Sequence, residues 1–180
     1  MKKALARGLL WALAALLVGA HPTPAQGVPS APARAALLEN GAYGGELITR
    51  VRQAKRRIIC AFYLFKVGER RGNLPAAVAR ELVKASQRGV EVTVILEGAR
   101  SVGRENRAAA GILSRGGVKV LFPGRRSVTH VKAIAIDDRY LLIGSHNLTH
   151  SALARNNELS VVLDSPELAA QVRRYLEEIR

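Results

Sequence analysis

An unbroken apolar and aromatic run, Ile58 to Phe65, and a second strand-like stretch, Val90 to Leu96, bracket a segment whose apolar residues recur at helical spacing. A run like the first, without polar alternation, suits a strand covered on both faces. The segment between them carries its own punctuation: Asn73 and Pro75 offer a helix start, Val78, Leu82, Val83 and Ala85 form a stripe, and Gly89 supplies the stop. A chain with this rhythm folds as layers of sheet and helix.

The flanking segments extend the pattern. Leu47, Ile48 and Val51 repeat at helical spacing between about Tyr43 and Lys55. A helix from about Glu105 to Ser114, the Gly116-Gly117 break and a short strand Val118 to Phe122 follow the second run. Two extended stretches, Val128 to Ile136 and Arg139 to Ile143, then flank the turn residues Asp137-Asp138 and predict adjacent antiparallel strands. A strand Glu158 to Leu163 precedes a last helix opened by Ser165-Pro166-Glu167, with Leu168, Val172, Leu176 and Ile179 along one face. The expected class is α/β, a mixed β-sheet flanked by helices on both faces. At 180 residues there is room for one such domain, expected over residues 35–180.

The first 25 residues have a different logic. Lys2, Lys3 and Arg7 precede the uncharged run Leu9 to Ala20, which has the form of a secretory signal and is short for a membrane span. Cleavage is expected after Ala25, with Ala20 as the alternative site and an uncleaved anchor as the alternative fate. Residues 26–34, rich in Pro, Ala and Ser, read as a flexible leader. The domain is therefore expected outside the cytoplasm, periplasmic or secreted.

Charge narrows the partner. Lys and Arg outnumber Asp and Glu by 28 to 14, and only three of the positive charges fall in the signal segment. A basic domain of this kind suits a polyanion, either nucleic acid or an anionic membrane surface. Cys60 is the sole cysteine, which excludes an intramolecular disulfide and a thiolate zinc cluster; inside an apolar run it reads as a buried structural thiol.

The residues with chemical potential lie between 130 and 158. His130 and Lys132 are two apart on an expected strand, so they project together with about 7 Å between their backbones. If the chain reverses at Asp137, residues 144 to 146 come to lie opposite 132 to 130. Gly144-Ser145-His146-Asn147 then reaches the same end of the sheet. Ser145 and Asn147 would donate to phosphate oxygens and Lys132 would neutralise them, while His130 serves as nucleophile. Glu158 is expected to accept from the far ring nitrogen of His130. An acid for the leaving group is missing from one chain, and His130 of a second copy across a two-fold axis would supply it.

The pattern His130-x-Lys132-x4-Asp137, followed by Gly144-Ser145-x-Asn147-Leu148-Thr149 and then Glu158, resembles the HKD signature of the phospholipase D superfamily. The sequence carries one such motif in a short chain, as does the small bacterial endonuclease branch of that superfamily. The resemblance implies a phospholipase D/nuclease-like sandwich, a homodimer and a phosphohistidine intermediate formed without metal or other cofactor. It assigns Asp137 a supporting part in the catalytic set.

The leading expectation is thus an exported, metal-independent, non-specific endonuclease acting on DNA and, as a further substrate, RNA. Arg125 and Arg126, four residues before His130, are the expected contacts to the nucleic-acid backbone; Arg100, Arg104, Arg107 and Arg115 are weaker candidates on solvated faces. Aromatic residues make up 4% of the chain, too few for a run of stacking platforms. Three rivals stand beside this one. They are a phospholipase, which an exposed apolar rim around the cleft would favour, a non-catalytic nucleic-acid-binding protein, and a zinc hydrolase built on His130, His146 and His150.

Overall fold

The computed structural model describes residues 30–124 and 127–179. In chain order the elements are β1 (Arg34–Glu39), α1 (Ala42–Gln53), β2 (Arg57–Phe62), α2 (Leu74–Gln87), β3 (Glu91–Leu96) and α3 (Gly103–Arg115). They continue with β4 (Lys119–Leu121), β5 (Lys132–Ile136), β6 (Tyr140–Gly144), α4 (His150–Ala154), β7 (Leu159–Asp164) and α5 (Pro166–Glu178). The strands form one seven-stranded sheet in the order β1-β7-β6-β5-β2-β3-β4. The β2-β3-β4 side is parallel and the remainder antiparallel, so the sheet is mixed as expected.

The unbroken apolar run of β2 is explained by cover on both faces. Ile58, Cys60 and Phe62 of β2 enter the larger core with Leu47 and Val51 of α1, Leu82 and Ala85 of α2, Leu113 of α3 and Leu153 of α4. Ile59 and Ala61 turn the other way and meet Ile95, Ala135 and Leu176 of α5. Leu176 is fully buried in this smaller cluster, and truncating it would cost about 2–5 kcal/mol. Cys60 is buried, and burial pushes its thiol up to about 12, which suits an inert structural residue.

Local chemistry sets the helix ends. Asn73 Oδ1 accepts from Ala76 N at 2.9 Å and caps α2; Gly89, at φ 91°, turns the chain after it. Thr149 and Ser165 cap α4 and α5 in the same way.

Two departures from the sequence expectations have plain causes. β1 was not expected, because only Leu38 of its six residues is buried and an edge strand lying mostly in solvent shows no alternation. It also takes Arg34 out of the expected leader. β5 starts at Lys132 rather than Val128, because Thr129 N is drawn instead to the carboxylate of Glu97 in the loop after β3. The expected signal segment 1–25, residues 26–29 of the leader, and Arg125-Arg126 lie outside the described residues.

The topology brings the ends of β2, β3 and β6 to the same edge of the sheet as the beginnings of β5 and β7. Asn106 of α3, fully buried, ties this edge together. It accepts from Phe65 N at 2.7 Å and donates to the carbonyls of Tyr63 and Glu97 at 2.8 Å each.

Candidate active site

The antiparallel register of β5 and β6 pairs Ala133 with Ile143, which sets Lys132 across from Gly144 at the end of the ladder. This places His130, Lys132, Gly144, Ser145 and Asn147 around one recess of about 410 Å³ at the sheet edge. His130 is exposed and Lys132 is buried. The Lys132 ammonium lies 3.2 Å from each ring nitrogen of His130 and donates to the His130 carbonyl at 2.9 Å. Cation and imidazole therefore face one phosphoryl-sized volume. Burial holds Lys132 below the ordinary lysine range, and the Glu158 carboxylate opposes that shift.

Asn147 is half-buried at the recess, and its amide oxygen has no partner among the described residues. The side-chain NH2 is the group that would donate to a phosphate oxygen, since the unpartnered oxygen can only accept. Gly144 is required sterically, since a Cβ there would overlap Ser160 and the Leu159 carbonyl. That close approach draws Ser145 against β7, where Ser145 N donates to Leu159 O at 3.1 Å.

Glu158 is placed differently from the expectation. Its carboxylate accepts from the Ser145 hydroxyl and, at 3.1 Å, from Asn156 Nδ2, rather than from His130. The cause is the β6-β7 register, which pairs Gly144 with Ser160 and so sets Ser145 beside the start of β7. Glu158 thus reaches the recess through Ser145 and acts on Lys132 through its charge.

Asp137 sits at the far end of β5, about 16 Å from Lys132 by strand rise. Its carboxylate accepts from the backbone N–H groups of Lys55, Arg56 and Arg57 at 2.9, 2.8 and 3.1 Å, pinning the turn into β2. With φ at 55° it also makes the β5-β6 reversal together with Asp138. Its support for the site is through the placement of β2 and β5.

The three histidines of the zinc alternative do not gather. His146 is fully buried and stacked on Tyr43 at 4.3 Å, with one ring nitrogen on Ser160 Oγ at 2.7 Å and the other donating to Asn40 O at 2.9 Å. Both nitrogens are committed to the fold.

Several residues around the recess carried no sequence signal. The Tyr63 ring lies 4.7 Å from that of His130, inclined by 59°, with the Lys132 ammonium 5.5 Å from its centroid. Glu97, buried, accepts from Thr129 N at 2.6 Å and from Ala99 N at 2.7 Å, fixing the residue before His130. Asn40 N donates to Glu158 O at 2.9 Å, and the Asn40 side-chain oxygen accepts from Glu158 N at 2.9 Å. None of these belongs to a spaced motif, so only the folded chain reveals them.

A mixed seven-stranded sheet between helical layers, with a histidine-lysine recess at its edge, defines a class of α/β proteins that hold phosphoryl groups. Residues 47–180 match the cardiolipin synthase, phospholipase D-like domain, and the chain belongs to the phospholipase D superfamily, a group of enzymes acting on phosphodiesters. Cardiolipin synthase B of Escherichia coli K12 is 33% identical over 114 residues, which is 62% of this chain and 26% of that protein. Phospholipase D of Rickettsia conorii is 31% identical over 98 residues, or 54% of this chain and 48% of that one. The chain thus spans about a quarter to a half of the length of these curated relatives. Among solved structures, Nuc of Salmonella typhimurium, a phospholipase D family member, superposes with TM-score 0.71 at 22% identity, over 82% of this chain and 94% of Nuc. NucT from Helicobacter pylori gives 0.67 at 18%, over 82% of this chain and 96% of NucT.

Proposed function

We propose that this chain is a metal-independent phosphodiesterase that cleaves nucleic acid outside the cytoplasm, DNA first and RNA as a further substrate, with two copies completing the site. The observation that carries the reading is the meeting of His130 and Lys132 at 3.2 Å in a recess shared with Ser145 and Asn147. A ring nitrogen of His130 attacks phosphorus, and the P–O bond to the leaving nucleoside breaks as the N–P bond forms. The leaving oxygen takes its proton from His130 of the second copy. Water then attacks the phosphohistidine, gives a proton to that second imidazole and displaces His130. Lys132 and Asn147 meet the charge on the phosphoryl oxygens throughout, while Ser145, whose hydroxyl donates to Glu158, holds that carboxylate at the edge of the recess.

The chain's positive charges outnumber its negative ones two to one, which suits a polyanion of either kind, and the extent of the structural match favours nucleic acid over lipid. The superposition spans nearly all of Nuc and of NucT, proteins of similar single-domain extent. The second reading, lipid phosphodiester cleavage or transfer, has its own support in cardiolipin synthase B and phospholipase D at 33% and 31% identity.

Supercoiled plasmid and phosphatidylglycerol vesicles, each incubated with the protein in excess chelator, separate the two. Plasmid nicking without lipid turnover is expected; lipid turnover alone would replace this reading with the second.

A further inference from the structure

A cavity of about 540 Å³ opens beside the catalytic recess, between the loop after β3 and the loop after β4. Its walls include Glu97, Arg100, Arg107, Phe122, Pro123 and Val128. Phe122 is 40% exposed and Val128 63% exposed, so both present apolar surface at the cavity. Neither arginine forms an ion pair with a carboxylate among the described residues. A Cβ on Gly103 would lie 3.1 Å from both terminal nitrogens of Arg107, so that guanidinium folds across the first turn of α3. The one carboxylate on the wall, Glu97, is engaged at both oxygens by backbone N–H groups.

The cavity is continuous with the chemistry. It shares Ser127 and Val128 with a neighbouring hollow that reaches His130, and His130 in turn lines the catalytic recess. Two residues of extended chain, about 7 Å, separate Val128 from His130, on the order of one or two nucleotide steps along a strand. Tyr63 links the two regions, its ring against His130 and its hydroxyl 3.3 Å from Ser101 Oγ in the loop after β3.

We propose that this cavity holds the nucleotide flanking the scissile phosphate, with its base stacked on Phe122 and its phosphate held by Arg100 and Arg107. The assignment rests on the nuclease reading and adds to it a stacking platform beside the cleavage point. An exposed aromatic ring offers a face to any base, so the subsite is tolerant of sequence. Two guanidiniums with no carboxylate partner among the described residues supply the phosphate contacts.

The test compares Phe122→Ala and the double variant Arg100→Ala/Arg107→Ala with wild type on a single-stranded dodecamer and on bis(p-nitrophenyl) phosphate, which has no flanking nucleotide. KM for the dodecamer is expected to rise about tenfold in Phe122→Ala, within the range for loss of one base stack. In the double variant the slope of log(kcat/KM) against log salt is expected to shrink by about 0.7, the share of one phosphate on a single strand. Turnover of bis(p-nitrophenyl) phosphate should be unchanged in both. Unchanged KM and salt slope on the dodecamer would overturn the subsite, as would equal losses on the small diester, which would mean that the cavity only shapes the catalytic loop. Effects confined to phosphatidylglycerol vesicles would assign the cavity to a lipid headgroup and overturn it too. A wild-type protein that turns over the small diester but no oligonucleotide would sink the nuclease reading itself.

Discussion

The backbone N–H of Thr129 donates to Glu97 Oε2 at 2.6 Å, one residue before the nucleophile candidate His130. The other carboxylate oxygen accepts from Ala99 N at 2.7 Å, so a single buried side chain fastens the loop after β3 to the approach to β5. Glu97→Gln sets an amide NH2 against one of these N–H donors. We expect kcat to fall about tenfold and stability by about 1–3 kcal/mol, the cost of an unmatched buried donor. Urea unfolding and bis(p-nitrophenyl) phosphate kinetics on the same preparation measure both; a Gln variant indistinguishable from wild type would remove Glu97 from the positioning of His130.

Asp137 and His130 belong to one sequence motif but should fail in different ways. Asp137→Ala leaves three backbone N–H groups without their acceptor and puts alanine at a φ of 55°. Stability is expected to drop by about 2–3 kcal/mol, with kcat in the surviving folded protein within about threefold of wild type. His130→Ala should do the reverse, leaving the melting temperature within about 2 °C while abolishing turnover, because His130 is exposed. An Asp137→Ala protein with normal stability and no activity would return the aspartate to the chemistry.

Lys132 ties activity to pH. Burial lowers its pKa, so the unfolded chain holds that proton to higher pH than the folded one. Its contribution to stability is therefore fully present above the ordinary lysine value and lost as pH falls through the lowered value; at neutral pH the charged form weighs against folding. Two outcomes follow. The alkaline fall in kcat/KM should begin below the usual lysine range and move to higher pH in Lys132→Arg. Lys132→Met should lose at least about a thousandfold in kcat without a lower melting temperature. An alkaline limb that stays in place in the arginine variant would mean that another group titrates.

If two copies share one pair of histidines, inactive subunits poison active ones. Mixing wild type with a ninefold excess of His130→Ala protein under conditions of subunit exchange should cut activity per wild-type subunit to about a tenth, since few active chains then find an active partner. Activity that simply follows the amount of wild type would show that one chain suffices.

Much of this arrangement was legible beforehand, and the reason is periodicity. The spacing of Leu47, Val51, Val78, Leu82 and Leu176 fixes helices whatever surrounds them, and the turn at Asp137-Asp138 sets the register that brings Lys132 to Gly144. What escaped depends on contacts between distant segments. β1 has one buried residue, so its pairing with β7 leaves no alternation to read. Glu158 was matched to His130 by analogy of roles, whereas the β6-β7 register delivers it to Ser145. Glu97, Asn106 and Tyr63 act through hydrogen bonds or ring contacts between distant segments, which no local pattern announces. His146, a metal-ligand candidate by its spacing, is taken up by Tyr43, Ser160 and Asn40 in the interior.

The most direct test is to look for the covalent adduct. Protein mixed with a short oligonucleotide in excess chelator, quenched in alkali within the first turnover and digested, would be examined by mass spectrometry for the peptide containing His130. The account predicts that peptide carrying the mass of a nucleotide phosphoryl fragment, and no adduct in the His130→Asn protein. Cleavage that proceeds with His130 unmodified, or that stops when divalent ions are chelated, would contradict it.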